Sequence, residues 1–214
     1  APFVAPEVHA VLEPYIRVAL VVGKLVTHLA EGQFLGVTVG YQGEITEHDT
    51  ATLKAAVLAG VLGPVTTGQV NLINSSRLAQ ERGLNVTEQR NAVAQEYTGL
   101  ISATLETTEG SISITGTSMR NEPHIVRFNE YWMDIIPTVP YLLFVDNQDQ
   151  PGSIGAVGTL AGRHNINISF MEVGRLNLRG RAMMVLGLDD PVPPDVMDEI
   201  NALSHIYNAR LVKL

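Results

Sequence analysis

The chain has 214 residues, 45% of them hydrophobic, no cysteine and a formal net charge of −8. That length suits two small domains or one large one, and that apolar fraction belongs to a folded chain, not a disordered one. The negative balance argues against nucleic acid and anionic membrane as partners. The lack of cysteine excludes disulfides, thiolate nucleophiles and cysteine metal sites, and it permits a reducing cytoplasm.

The first residues, APFVAP, begin without Met and read as a segment cut from a longer protein or a processed start. Residues 1–9 carry two prolines and no period, which predicts a linker. Leu12, Ile16, Ala19, Leu20, Leu25, Val26 and Leu29 then recur near helical spacing, with Pro14 tolerable only in a first turn. The run Val18–Val22 is too short and too interrupted to span a bilayer. FLGVTVGY (34–41) alternates like a strand. A helix is expected over ATLKAAVLAGVLG, ended by Gly63-Pro64, and a second over 70–83, stopped by Gly83. Strands are expected at 84–90, 98–108, 111–117 and 124–129, with Glu109-Gly110 turning between two of them.

After Pro137 and Pro140 the pattern changes. Strand 141–146, helix 152–163, strands 166–174 and 181–188, helix 193–203 and strand 205–213 follow in turn. This β-α-β-β-α-β order is the ferredoxin-like split βαβ unit. The expected class is therefore α+β, with an α/β domain ahead of a ferredoxin-like one. The domain assignment is 1–33 for a linker and helix from the end of a preceding region, 34–137 for the first domain and 138–214 for the second.

Few constellations carry chemistry. The six histidines lack zincin spacing, so no metal site is expected. There is no G-x-S-x-G or S-x-x-K, and no catalytic residue is assigned. Gly152, Gly155 and Gly158 fall inside a predicted helix at the wrong spacing for a dinucleotide fingerprint, so no cofactor is expected in this chain. Gly155, Gly158 and Gly162 instead read as a small-residue face that another backbone approaches. Arg120, His124 and Arg127 are candidates for an anion pocket at one strand edge, though a solvated face balanced by acids is the favoured reading.

The stretch Asn147-Gln148-Asp149-Gln150-Pro151-Gly152 is different. A free amino acid needs oxygens for its ammonium, N–H groups for its carboxylate, and one more polar partner. Asp149 offers the first, and the N–H groups of Gly152 and Ser153 at a helix start offer the second. Asn167, beginning the next strand, is placed to reach the same spot. Spacing alone leaves open that Asp149 merely caps the helix.

These residues also carry a resemblance. Asn147-x-Asp149-x-Pro151-Gly152 with Asn167-Ile168 resembles an ACT domain, an amino-acid-binding regulatory module. LEPYIRVALVVGKLVTHLAEGQ (12–33), VTVGYQGEI (37–45), VNLINSSRLAQERGL (70–84), ITGTSM (114–119) and the run 171–200 extend it over nearly the whole chain. That whole is similar to the C-terminal part of long-form D-3-phosphoglycerate dehydrogenase, in which an intervening, allosteric-substrate-binding domain precedes the ACT domain. The resemblance implies L-serine or a similar small amino acid as effector, held at an ACT dimer interface by Asn147, Asp149 and Asn167. Pro151, Gly152, Ser153 and Ile168 would close that site. It also implies a cytoplasmic homodimer or larger homo-oligomer and, in the parent enzyme, NAD and the catalytic groups. Gln150 stands where the family often has Arg. The beta chain of iron–sulfur L-serine dehydratase and a pure oligomerisation module are the alternatives.

Overall fold

The computed structural model describes residues 6–94 and 96–214. Contacts divide the chain into two compact units at Asn129/Glu130.

The first unit opens with helix α1 (Pro6–Leu29), then strand β1 (Phe34–Gly43) and helix α2 (Ala51–Leu62). Helix α3 (Ser75–Glu81), strand β2 (Asn85–Asn91), and strands β3 (Gly99–Thr107), β4 (Gly110–Met119) and β5 (Glu122–Phe128) complete it. These strands lie in the order β2-β1-β3-β4-β5. β1 pairs parallel with β2, so α2 and α3 form the crossover that a parallel pair requires, and antiparallel with β3. α1 buries a stripe of Leu12, Tyr15, Val18, Ala19, Val22, Leu25, Val26 and Leu29, the spacing of one helix face. α2 is buried nearly all round, packed against α1 and α3.

Three expectations need correction here. Helical structure begins at Pro6, so residues 6–9 are helix rather than linker, and residues 1–5 lie outside the described residues. Pro14 is therefore interior and not in the first turn. An interior proline costs about 3 kcal/mol, but each large apolar side chain of the α1 stripe returns about 1.5–3 kcal/mol on burial, so packing wins. Residues 70–74 are turn and α3 starts only at Ser75. There Asn71 Oδ1 accepts from the N–H groups of Ile73 and Asn74, while Asn74 Oδ1 accepts from that of Asn71. Such side-chain bonds compete with the helix for the same backbone groups.

Close backbone approach also falls elsewhere than expected. A Cβ at Gly155, Gly158 or Gly162 would have nothing within 4 Å. The tight contact is between α1 and α2, where a Cβ at Gly23 would lie 2.2 Å from Val57 O and one at Gly60 2.3 Å from Leu20 O. Thr27 Oγ1 ties the same seam by donating to Val61 O at 2.8 Å.

The second unit begins with strand β6 (Tyr131–Ile135), which the sequence reading did not anticipate. Strand β7 (Tyr141–Gln148), helix α4 (Ser153–Arg163), strands β8 (Ile168–Arg175) and β9 (Arg181–Leu188), helix α5 (Pro194–Asn201) and strand β10 (Ile206–Lys213) follow. This is the expected β-α-β-β-α-β order in an antiparallel sheet β10-β7-β9-β8, with β8 at one edge. Leu143, Val145, Met184, Leu186 and Leu188 project from one face into a core completed by Val157, Leu160 and Ala161 of α4 and Val196 and Ile200 of α5. On the helix-free face β6 packs over Gly174, where a Cβ would lie 2.9 Å from that of Tyr131. The Phe170 ring covers Gly187 on the same face.

Candidate functional site

The site is built where β7 ends. Residues directly opposite in a sheet share a face. Ala182 of β9 pairs with both Asn147 of β7 and Arg175 of β8. One row of the helix-covered face therefore carries an amide, a methyl and a guanidinium, spanning two strand spacings or about 10 Å. Asn147 is 2% exposed. Its Nδ2 donates to Gln148 O at 3.0 Å, and its Oδ1 has no hydrogen-bond partner. A buried acceptor left unpaired costs about 1–3 kcal/mol, and a ligand donor would relieve that cost.

The loop beyond is pinned on both sides. Gln148 N–H donates to His205 O and Asp149 N–H to Gly180 O, each at 2.8 Å. Tyr207 Oη donates to Gln148 Oε1 at 2.6 Å, and Gln150 Nε2 meets His205 Nδ1 at 3.0 Å. Pro151 and Gly152 then turn the chain into α4. Gly152 sits at φ 96°, left-handed backbone that glycine adopts freely.

Asp149 does not cap the helix; Gly152 holds the cap position with no side-chain bond. Asp149 Oδ2 instead accepts from Arg175 Nη1 at 3.0 Å and from the Arg179 N–H at 3.2 Å. These bonds hold its carboxyl below the ordinary carboxylate value, the Arg175 guanidinium first and the Arg179 amide second. A depressed folded value means that ionised Asp149 supports the fold above its unfolded pKa, and that the support is lost as pH falls through the folded value. An NMR titration is expected to place the Asp149 midpoint lower in the folded chain than in the unfolded one. Arg175→Gln is expected to raise the folded midpoint.

Two expectations fail within one chain. The Ser153 N–H donates to Gln150 O at 3.2 Å, and its hydroxyl, 6% exposed as a residue, to Gln148 O at 3.2 Å, so Ser153 braces the turn rather than facing a ligand carboxylate. Asn167 precedes the end of β8 that pairs Ile168 with Leu188, whereas Arg175 and Asn147 lie at the opposite end. Seven strand residues separate the ends by roughly 20 Å. Asn167 Nδ2 donates to Asp189 Oδ2 at 2.6 Å, and Ile168 packs against the core. One chain therefore carries Asn167 and the Asn147–Arg175 row at opposite ends of its sheet. Arg175 is the residue that sequence reasoning missed. Its only sequence signal is the Asp149-to-Arg175 charge complementarity, and the register supplies the rest.

The three cationic candidates of the first unit are not gathered. Arg120 occupies the two-residue β4–β5 turn at φ 54°. Arg127 pairs with Thr115 at the far end of β5, about 17 Å beyond Glu122 along the strand. His124 is 8% exposed, and both it and Arg127 already interact within the chain. The first unit does hold a cavity of about 280 Å³ lined by Lys54, Leu58, Ser76, Gln80, Leu84 and Val86. Its cation is matched, since Lys54 Nζ donates to Glu88 Oε1 at 2.7 Å. Burial and the Glu88 charge push the Tyr41 hydroxyl well above its ordinary value beside this pair. Among the described residues no group of three His, Asp or Glu could hold a metal ion, and no helix is long and apolar enough to cross a membrane.

Comparison with known proteins matches residues 11–129 to the D-3-phosphoglycerate dehydrogenase intervening domain and residues 141–205 to the ACT domain. The chain is 37% identical over its whole length to the D-3-phosphoglycerate dehydrogenase of Synechocystis sp., of which it covers 39%. It is 32% identical over 95% of its length to the enzyme of that name from Methanocaldococcus jannaschii, covering 38%. With that of Archaeoglobus fulgidus it is 31% identical over 100%, covering 41%. The chain thus spans about two fifths of the length of the curated relatives it matches. With an intervening domain in its first unit and an ACT domain in its second, the chain belongs to the D-3-phosphoglycerate dehydrogenase family, as a C-terminal, regulatory segment of it.

Proposed function

We propose that the second unit binds L-serine, or a similar small α-amino acid, at a seam where two copies pair their β8 edges, and that this binding inhibits a parent D-3-phosphoglycerate dehydrogenase of serine biosynthesis. The observation that supports it most is the buried, unpaired Asn147 Oδ1 on a row with the Arg175 guanidinium, which in turn holds the Asp149 carboxylate. A ligand ammonium takes Asp149 Oδ1, the oxygen left by the two bonds on Oδ2. The ligand hydroxyl or ammonium satisfies Asn147 Oδ1. Met171 lies midway between Asn167 and Arg175. A twofold axis there pairs the edge strands antiparallel and sets Asn167 of the second copy beside the first copy's half-site.

In this reading NAD and the oxidation of substrate belong to the rest of a longer, cytoplasmic, homo-oligomeric protein. This chain contributes the effector site. Serine changes catalysis only by binding one arrangement of the subunits better than another. The test is calorimetric titration of the chain with L-serine, D-serine and glycine, with light scattering for mass. Saturable, stereoselective binding to a dimer is expected, lost in Asp149→Ala while its circular dichroism is unchanged. A stable dimer that releases no heat with any amino acid would make the unit an oligomerisation module and sink the reading.

A further inference from the structure

We propose that Arg175 is the carboxylate anchor of this site, so that the site selects amino acids with a free α-carboxylate over amines and amides. The inference rests on the amino-acid reading above and goes on to assign the group that makes it selective. Three features carry it. Arg175 shares its row with Asn147 across Ala182, so the amide and the guanidinium stand on one face of the sheet, two strand spacings apart. Its Nη1 is 3.0 Å from Asp149 Oδ2, and its side chain remains 52% exposed, so the remaining N–H groups of the guanidinium are open to a second acceptor. And Ser153, one of the two sequence-expected donors to a carboxylate, is consumed by Gln150 and Gln148, which removes half of that donor set.

Asp149 and Arg175 thus form a fixed pair of opposite charges whose members a zwitterion can bridge head to tail. The ligand ammonium joins the carboxylate and the ligand carboxylate joins the guanidinium. Arginine suits this because its planar fork meets a carboxylate with two parallel bonds while it keeps a third to Asp149. The opposite role is a latch, in which Arg175 occupies Asp149 and must leave before an ammonium can bind. Exposure of the guanidinium and the two bonds crowding Oδ2 alone favour the anchor.

The experiment is calorimetric titration of the 214-residue chain and its Arg175→Gln and Arg175→Lys variants with L-serine and with L-serinamide, which keeps the ammonium and hydroxyl but lacks the anionic carboxylate. Loss of a charge-assisted contact is expected to weaken L-serine binding about tenfold to a hundredfold in Arg175→Gln. L-serinamide affinity should stay level, so that discrimination between the two collapses. Arg175→Lys should recover part of the L-serine affinity, since it restores the charge without the fork. Equal weakening of both ligands would show that Arg175 only positions Asp149, and undiminished or tighter L-serine binding would show a latch. Either overturns the anchor while leaving the amino-acid reading standing. No binding of any ligand by the unmodified chain overturns both.

Discussion

A single methyl at Gly23 will cost the first unit a measurable part of its stability. In an exposed helix Gly→Ala stabilises by about 0.5–1 kcal/mol, because alanine has less backbone freedom to lose. At Gly23 the new Cβ would stand 2.2 Å from Val57 O, 3.0 Å from Val61 N and 3.1 Å from Gly60 Cα. All three are backbone atoms of α2, so no side-chain rotation relieves them. The helices must separate, opening contacts along a stripe that runs from Leu12 to Leu29. Overpacking of this kind costs about 1–3 kcal/mol or more, which outweighs the propensity gain. For a unit of this size the thermal midpoint should fall by roughly 5–10 °C.

The control is Gly158→Ala on α4, where nothing lies within 4 Å of the added methyl. There the propensity term acts alone, and calorimetry should show the second unit unchanged or stabilised by up to about 1 kcal/mol. Gly60→Ala meets Leu20 O at 2.3 Å across the same seam and should act like Gly23→Ala. The two should be strongly non-additive, because helices already parted by one methyl accommodate the second cheaply. Equal effects at Gly23 and Gly158 would show that the α1–α2 approach does not constrain the fold.

The contrast between these glycines marks where sequence reading stops. A Gly-x-x-Gly-x-x-x-Gly spacing on α4 advertises a small-residue face, yet among the described residues nothing comes within 4 Å of a Cβ added at any of the three. Gly23 and Gly60 are single glycines in apolar runs, and only the crossing of α1 and α2 reveals their purpose. The β-α-β-β-α-β order was legible, because each element keeps its own hydrophobic period and its own turn signals. The loop from Asn147 to Gly152 was legible as a break between strand and helix, because amides, an acid, a proline and a glycine follow one another there. Arg175 was not, because its neighbours are set by register. β8 carries an irregularity between Ile168 and Phe170, and a one-residue slip would turn Arg175 to the other face. The distance between Asn147 and Asn167 was hidden likewise: twenty residues apart in sequence, they lie at opposite ends of the sheet once β8 runs antiparallel to β9. The Asn71 and Asn74 turn that shortens α3 was readable in principle, since asparagines three apart favour such loops over helix.

That separation of the half-sites leads to the larger of the binding predictions. If the ligand sits at a β8–β8 seam, Asp149 and Asn167 serve one site from different chains. Asp149→Ala leaves the Asn167 half intact, and Asn167→Ala leaves the Asp149 half intact. Each variant alone pairs two damaged sites and should bind no L-serine at concentrations that saturate the unmodified chain. Asn167→Ala also removes a donor to Asp189, but at an exposed bond of 2.6 Å whose loss should not unfold the unit. Mixing the two variants after dissociation and reassociation gives heterodimers in which one seam site collects both mutations and the other collects neither. With random pairing half the dimers are mixed, so about a quarter of all sites should recover full affinity. Calorimetry reads this directly, as a stoichiometry near one quarter with an unchanged dissociation constant. A site completed within one chain predicts the reverse, with no recovery on mixing at any ratio, and that result would remove the second copy from the binding site while leaving Asn147 and Arg175 where the register puts them and Asp149 bonded to Arg175.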